Sequence, residues 1–490
     1  MNALSHTLRN TALAATAALI ALAAIQSAAF AQPPFTLLHS FNGSDGFGPM
    51  ASVVQGADGA LYGTTSQGGS TSLGTVFRLD RATLGLTTLH HFAGTDGSVL
   101  YSGLALGSDG LLYGSTYAGG AANLGTLFRV SPDGQNFTAL YNFSGADGAK
   151  PDDLKLTQAS DGAFYGATSE GGPDGGGTLF RFDATTQGLT TLHSFTGPGG
   201  IDAGLVAGRD GYWYGSTYSG GANGAGSVFR VDPTTFALTT LHDFTGTDGQ
   251  NPLPGALMQG SDGNLYGTTQ LGGGYGTVYK LNPTTLAFTT LRTFSGGILE
   301  GRMPLGGVTE AGDGYLYGTT VLGGQGYGTV YRVRPTGLDY SIVVQFGNSN
   351  GRSPSGNLLL ASDGALYGVT RLGGSFNGGT LFRLSFDTTP PEITSITASP
   401  SVLQPPNGKM VPVALTVVAT DANDPVPKCK ITGVTSNQSA TGDWVITGDL
   451  TLGLRARRSS GTARIYTITV QCTDSSGNTA TGTVSVTVPK

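Results

Sequence analysis

Hydrophobic and polar positions alternate along this chain in short runs, and none of the runs has helical spacing. Ala51-Ser52-Val53-Val54-Gln55-Gly56 is the first apolar stretch of a unit and Leu61-Tyr62-Gly63-Thr64-Thr65 the second. Gly74-Thr75-Val76-Phe77-Arg78-Leu79 is the third, and Leu86-Thr87-Thr88-Leu89-His90-His91-Phe92 the fourth. Each is strand length and bounded by turn residues, which predicts four strands. Asp58-Gly59 between the first two favours a tight antiparallel hairpin, because glycine adopts positive φ without a Cβ penalty. A glycine-rich loop, 67–73, precedes the third strand, and a turn near 81–85 precedes the fourth.

The unit then repeats. Asp-Gly, one residue, an apolar residue and Tyr-Gly recur with tyrosines at Tyr62, Tyr113, Tyr165, Tyr214, Tyr266, Tyr317 and Tyr367, spaced 51, 52, 49, 52, 51 and 50 residues apart. Four strands in about 50 residues match one blade of a β-propeller, so seven motifs imply seven blades. The phase favours closure. Phe35 to Phe41 is a fourth-type strand ahead of the first full unit, and Gly379 to Leu384 is a third-type strand with no fourth after it. The N-terminal strand can therefore complete the last blade and cover its edge. Tyr-Gly removes a side chain where backbones approach, and the tyrosine packs between blades with its hydroxyl bonded near the surface.

The motif Leu61-Tyr62-Gly63-Thr64-Thr65, with Gly68-Gly69, Gly74-Thr75-Val76-Phe77, Thr88-Leu89-His90 and Phe92, resembles the GloVer (Gloeo-Verruco) tandem-repeat family of exported bacterial proteins over residues 35–386. The resemblance implies an extracellular or surface-associated protein and no known reaction. Relatives often carry a C-terminal anchor, whereas Val484 to Lys490 reads as a strand.

Thr388-Thr389-Pro390-Pro391 is a stiff break, since proline fixes φ and lacks a donor. Beyond it strands are expected at 411–420, 428–435, 444–452, 463–473 and 479–488. About 100 residues of such strands suit an immunoglobulin-like sandwich. Pro405 to Val413 and Cys472 to Asn478 resemble bacterial Ig-like domains of the hyalin-repeat type, which commonly act as spacers or adhesive modules. The fold class expected is all-β: a seven-bladed β-propeller over 32–387 followed by an Ig-like β-sandwich over 388–490.

The start of the chain reads as export. Arg9, the uncharged run 11–25 and Ala29-Phe30-Ala31 form a signal peptide over 1–31, and the apolar run is short for a bilayer span of about 20 residues. No integral membrane segment is expected after signal removal. In an exported chain the only cysteines, Cys429 and Cys472, read first as a disulfide and otherwise as two buried thiols. A bridge would close a loop of 43 residues, contributing about 3–4 kcal/mol by loop entropy. Residues 32–387 hold 16 basic and 25 acidic side chains, an acidic body with no footprint for nucleic acid.

Candidate chemistry is sparse. His39, His90, His193 and His242 share one point of the fourth strand, where Tyr141, Arg292 and Gln345 stand elsewhere, so they read as structural rather than catalytic. Gly347-Asn348-Ser349-Asn350-Gly351 fits G-x-S-x-G but lacks the strand-to-helix setting of a nucleophile elbow. Third-strand bases, Arg78 among them, could ring an anion surface or pair with hairpin acids such as Asp58. Arg455, Arg457 and Arg458 read as a solvated hairpin or a contact to anionic glycan. No catalytic residue, cofactor or metal ligand is expected.

The loop after strand two and the interblade crossover should share one rim, where binding residues gather on a rigid scaffold. Tyr117, Tyr218, Tyr275, Tyr327 and Phe376 lie in those loops and could meet a glycan or peptide. The expected function is therefore a secreted or surface-associated noncatalytic binding protein for a glycan or cell-surface component, extracellular or periplasmic. The alternative is a secreted carbohydrate-active lyase or glycosidase, with Asp152, Asp153 and Glu170 as its first suspects.

Overall fold

The computed structural model describes residues 33–490 except 153–154, 197–203, 253–256, 298–299, 388, 422–425, 439–441, 460 and 475–477. The expected signal peptide, 1–31, lies outside the described residues. Every regular element among the described residues is a β-strand, and no helix among them is long and apolar enough to cross a membrane. Residues 34–385 form one compact unit and 386–490 belong to a second.

The first unit is built from small antiparallel sheets of one design. Ahead of the first complete sheet lies strand β1 (Phe35–Ser40). That sheet orders β2 (Val54–Gln55), β3 (Leu61–Thr65), β4 (Thr75–Leu79) and β5 (Leu86–His91) side by side. Five further sheets repeat the order, and a seventh joins Arg352–Leu360, Leu366–Leu372 and Thr380–Leu384 to β1. Phe35 pairs with Leu384 and Ser40 with Thr380, so the N-terminal strand completes the C-terminal sheet.

Neighbouring sheets share apolar cores. Tyr62 and Val76 of the first sheet pack with Leu104, Leu112 and Phe128 of the second. Phe41 and Leu381 of the seventh pack with Val53, Leu61 and Phe77 of the first. The last sheet therefore rests against the first and the arrangement is propeller-like.

The innermost strand is shorter than its apolar run. Only Val54 and Gln55 of the expected 51–56 strand pair with β3. Upstream, Phe47 bridges Gln67, so the crossover returns to the same sheet edge before the ladder resumes. The seventh sheet shows both halves as one strand with an irregularity between Ser355 and Leu359. Prolines recur at the crossover's return to the sheet, at Pro49, Pro151, Pro252, Pro304 and Pro354; Pro252 and Pro354 sit in the edge strand opposite Thr269 and Thr370, where a missing N–H is tolerated.

The second unit stacks two sheets around one core. Glu392–Ser399, Met410–Thr420, Thr451–Arg455 and Trp444–Gly448 form one; Lys428–Ser436, Arg464–Thr473 and Thr479–Val488 form the other. Val413, Leu415, Leu454, Tyr466, Ile468 and Val470 fill the space between them. Cys429 and Cys472 are disulfide-bonded, directly opposite each other on adjacent strands. The expected strand 444–452 is instead a hairpin that turns between Gly448 and Thr451, because the Gly448-Asp449 step breaks the run.

Candidate functional site

The polar residues that recur with the repeat are tied to one another. Each motif tyrosine donates its hydroxyl hydrogen to the aspartate four residues earlier, at 2.9 Å for Tyr62 and Asp58, 2.7 Å for Tyr113 and Asp109, and 2.7 Å for Tyr367 and Asp363. The ring is fully buried and the hydroxyl reaches the hairpin turn. Opposite Tyr62 in the ladder stands Arg78, whose guanidinium lies 2.8 Å from Asp58. Arg181 repeats this with Asp161 at 3.0 Å and Arg383 with Asp363 at 3.4 Å. Burial pushes the Asp58 carboxyl up, but the bonds from Arg78 and Tyr62 outweigh it and hold the group below its usual 3.8. Burial first, and the nearby carboxylate second, push Tyr113 up to about 12. Arg78, Arg181 and Arg383 are thus partners of the hairpin acids, and these triads staple strands two and three to their turn; Lys280 donates to the Pro335 carbonyl and Arg230 lies over the Tyr212 ring instead.

On the opposite rim the fourth-strand histidines hold the crossovers. His39, His90 and His242 bond Asp45, Asp96 and Asp248 at 2.9, 2.8 and 3.0 Å. Tyr141 donates to Asp147 at the same point, and Arg292 pairs with Glu300. His90 also lies flat on Phe137 of the next sheet, centroids 3.5 Å apart. Burial keeps His90 below 6.5 although Asp96 pulls the other way. His193 has Gly199 where an acid would stand. Gly347–Gly351 is a turn closed by the Gly347 and Asn350 amides, followed by a strand and not a helix.

Crossovers and second-to-third-strand loops do meet on this rim: the Gly69 N–H donates to the Gly43 carbonyl, and Ser98 bridges Ala118. The five rim aromatics divide into two kinds. Tyr117 is half-buried against Tyr101, with the Lys150 ammonium 5.5 Å from its ring centre. The Tyr218 hydroxyl donates to Gln270 Oε1 at 2.8 Å. Tyr275 and Phe376 reach solvent, at 43% and 64% exposure, with Arg302 over the Tyr275 ring. Tyr327 is half-buried, and its carbonyl accepts from the Ser353 N–H. The five stand in five different sheets, and no ring contact joins any two of them among the described residues. Of the suspected acids, Glu170 pairs with Lys150 at 2.8 Å, and Asp153 lies outside the described residues.

In the second unit, Arg455 and Arg457 keep part of their side chains in solvent but are not unpartnered there. With Arg464 they converge on Asp443, which is 1% exposed, at 3.1, 3.1 and 2.6 Å. A buried carboxylate requires cationic partners, and the three arginines supply them. Sequence reasoning missed the centre of this cluster because Asp443 precedes the strand and gives no spacing signal. Asp387, Asp421 and Asp474 also come together, with one carboxylate oxygen of each within 4.8 Å of the others. Asn478 caps the group, donating to Asp474 and to the Asp387 carbonyl. Such a set of carboxylate oxygens is of the kind that a hard cation takes.

A profile of the Gloeobacter/Verrucomicrobia repeat matches residues 24–203 and 201–421. No curated protein matches the chain. Among solved structures the chain is similar to the extracellular domain of a one-component system from B. thetaiotaomicron, at 12% identity and a TM-score of 0.48, covering 94% of this chain. It spans 58% of that protein's length. It is also similar to a fungal alcohol oxidase of the AA5 family in complex with copper, at 12% identity over 93% of this chain and 99% of the other, TM-score 0.49. TolB from Acinetobacter baumannii matches at 14% identity over 60% of this chain and 62% of its own, TM-score 0.37. Likenesses this distant carry nothing about activity.

Proposed function

Since this chain belongs to the Gloeobacter/Verrucomicrobia repeat family, we propose that it is an exported, noncatalytic binding protein: a seven-bladed β-propeller followed by an Ig-like β-sandwich. Its ligand is a glycan or another cell-surface component, met by the loops of one rim. The observation that carries this reading is the contrast between the repeated polar groups and the loop aromatics. The motif tyrosine bonds its hairpin aspartate in every repeat, and the histidines and arginines that pair with acids do so within the scaffold. Tyr275 and Phe376 project from glycine-rich loops into solvent and leave apolar ring surface that a ligand would cover. Flat exposed rings beside a cation such as Arg302 suit the faces of sugar rings. The disulfide accords with an oxidising compartment outside the cytoplasm.

The test is the full chain on an array of glycans and cell-wall fragments at several salt concentrations. A ligand retained at high salt, and lost about tenfold or more in Tyr275→Ser and Phe376→Ser, is expected. Silence across every ligand class, or binding indifferent to both substitutions, overturns the proposal.

A further inference from the structure

Seven copies of one unit put seven equivalent residues around an axis, and a side chain that breaks the set is easily found. Ten residues before the motif tyrosines the chain carries Ser52, Gly103, Gly204, Ala256, Gly307 and Asn357, all small or neutral. In the third repeat the same position is Lys155. It falls in the gap of the innermost strand, where the ladder is interrupted, just before the Thr157–Gln158 pair.

Lys155 lines two adjoining cavities, of about 740 and 390 Å³, walled by the innermost strands of all seven sheets between them. The larger is faced by aliphatic side chains, among them Val54, Leu106, Val206 and Leu359, with amides and hydroxyls between. Lys155 is the single charged residue among its described lining. The smaller adds Arg209, whose guanidinium already donates to the Ser261 carbonyl. Neither cavity has a carboxylate in its described lining.

The amides of the wall are committed to the scaffold. Gln55 exchanges bonds with Ser362 across the closure, the Gln158 Oε1 accepts from Ser108, and the Asn357 Oδ1 accepts from the Gly307 N–H. The wall is therefore fixed, and the lysine is its flexible charge. The side chain is exposed to solvent in the lumen, and the surrounding walls partly desolvate the amine and push it below its usual 10.5. An ammonium in such a place attracts an anion more strongly than one on an open surface, because the low-dielectric walls focus its field.

We infer that the axial cavity is a binding site for a small organic carboxylate, with Lys155 as the charge anchor and the aliphatic wall receiving the carbon skeleton. One ammonium without an arginine fork or a helix N-terminus matches a singly charged group better than phosphate, which favours several convergent donors. The apolar wall adds a preference for a carbon body over a bare ion. The residues lining this site are none of the five rim-loop aromatics.

The experiment is isothermal titration of the full chain with butyrate, lactate and inorganic phosphate. Wild type should take up one butyrate or lactate per chain, with phosphate weaker. Lys155→Met keeps the stem and removes the charge, and should weaken carboxylate binding tenfold or more; Lys155→Arg should retain most of it. If Lys155→Met does not fold, Lys155→Gln replaces it, with thermal unfolding as the check on both. No saturable carboxylate binding by wild type, equal affinity in the neutral variant, or saturation by phosphate alone would overturn the assignment.

Discussion

A Cβ placed on Gly63 would stand 2.5 Å from Cζ of Phe77, and one on Gly114 the same distance from Cζ of Phe128. The aromatic ring of strand three lies across the glycine opposite it, as Gly63 and Phe77 are ladder partners. Gly63→Ala is therefore expected to destabilise the chain by about 1–3 kcal/mol, the usual cost of overpacking, read from the denaturant midpoint. An unchanged midpoint would mean that the ring yields freely. This glycine was legible because it recurs beside the tyrosine. A second backbone demand was not. Val99, Lys150, Asn251, Met303 and Ser353 all adopt left-handed φ, between 52° and 55°, each one residue before a proline or leucine that seats on a glycine of the preceding sheet. Only asparagine in that set advertises the conformation. The others are held there by packing, which no local pattern records.

Strands and their connections divide the same way. The four-strand phase followed from alternation and turn residues, because those signals are local. The shortened innermost strand, the 444–455 hairpin and the arginines around Asp443 depend on partners far along the chain. The histidine that ties a fourth strand to its crossover makes a prediction at this level. Burial keeps His90 and His193 below 6.5 in the folded state, so the unfolded chain takes up protons first. That contribution to stability is complete above pH 6.5 and is lost as pH falls through the folded values. Asp147, Asp161, Asp248 and Asp363 add a second fall. Burial raises each, but hydrogen bonds to the carboxylates leave them below 3.8, so their contribution disappears only at lower pH. Denaturation midpoints at pH 7.5, 5.5 and 3 should decline in that order, and His90→Gln should reduce the first decline and leave the second. A midpoint that rises on acidification to pH 5.5 would contradict the burial of these rings.

The whole first unit depends on one non-local pairing, between β1 and the strand that ends at Leu384. Its two partners are separated by the entire repeat array, so closure costs chain entropy once and then fixes every sheet against its neighbours. The phase of the repeat revealed this pairing, because a surplus fourth strand stood at one end and a deficit at the other. Phe41 is fully buried against Phe77, and Phe35 stacks on Phe382. Removing residues 33–41 exposes the edge at Thr380–Leu384 and empties those positions, a loss on the order of 5 kcal/mol from the buried rings and aliphatics. An open edge of this kind recruits strands from other molecules. The truncated chain should therefore unfold at a lower midpoint and associate in sedimentation, while a synthetic peptide of residues 33–42 added in trans should restore the monomer and much of the stability. Because the peptide brings back the same ladder without the covalent link, rescue separates the pairing from any general effect of shortening the chain. A truncated monomer with an unaltered midpoint would show that the ring is held by its sheet-to-sheet cores alone.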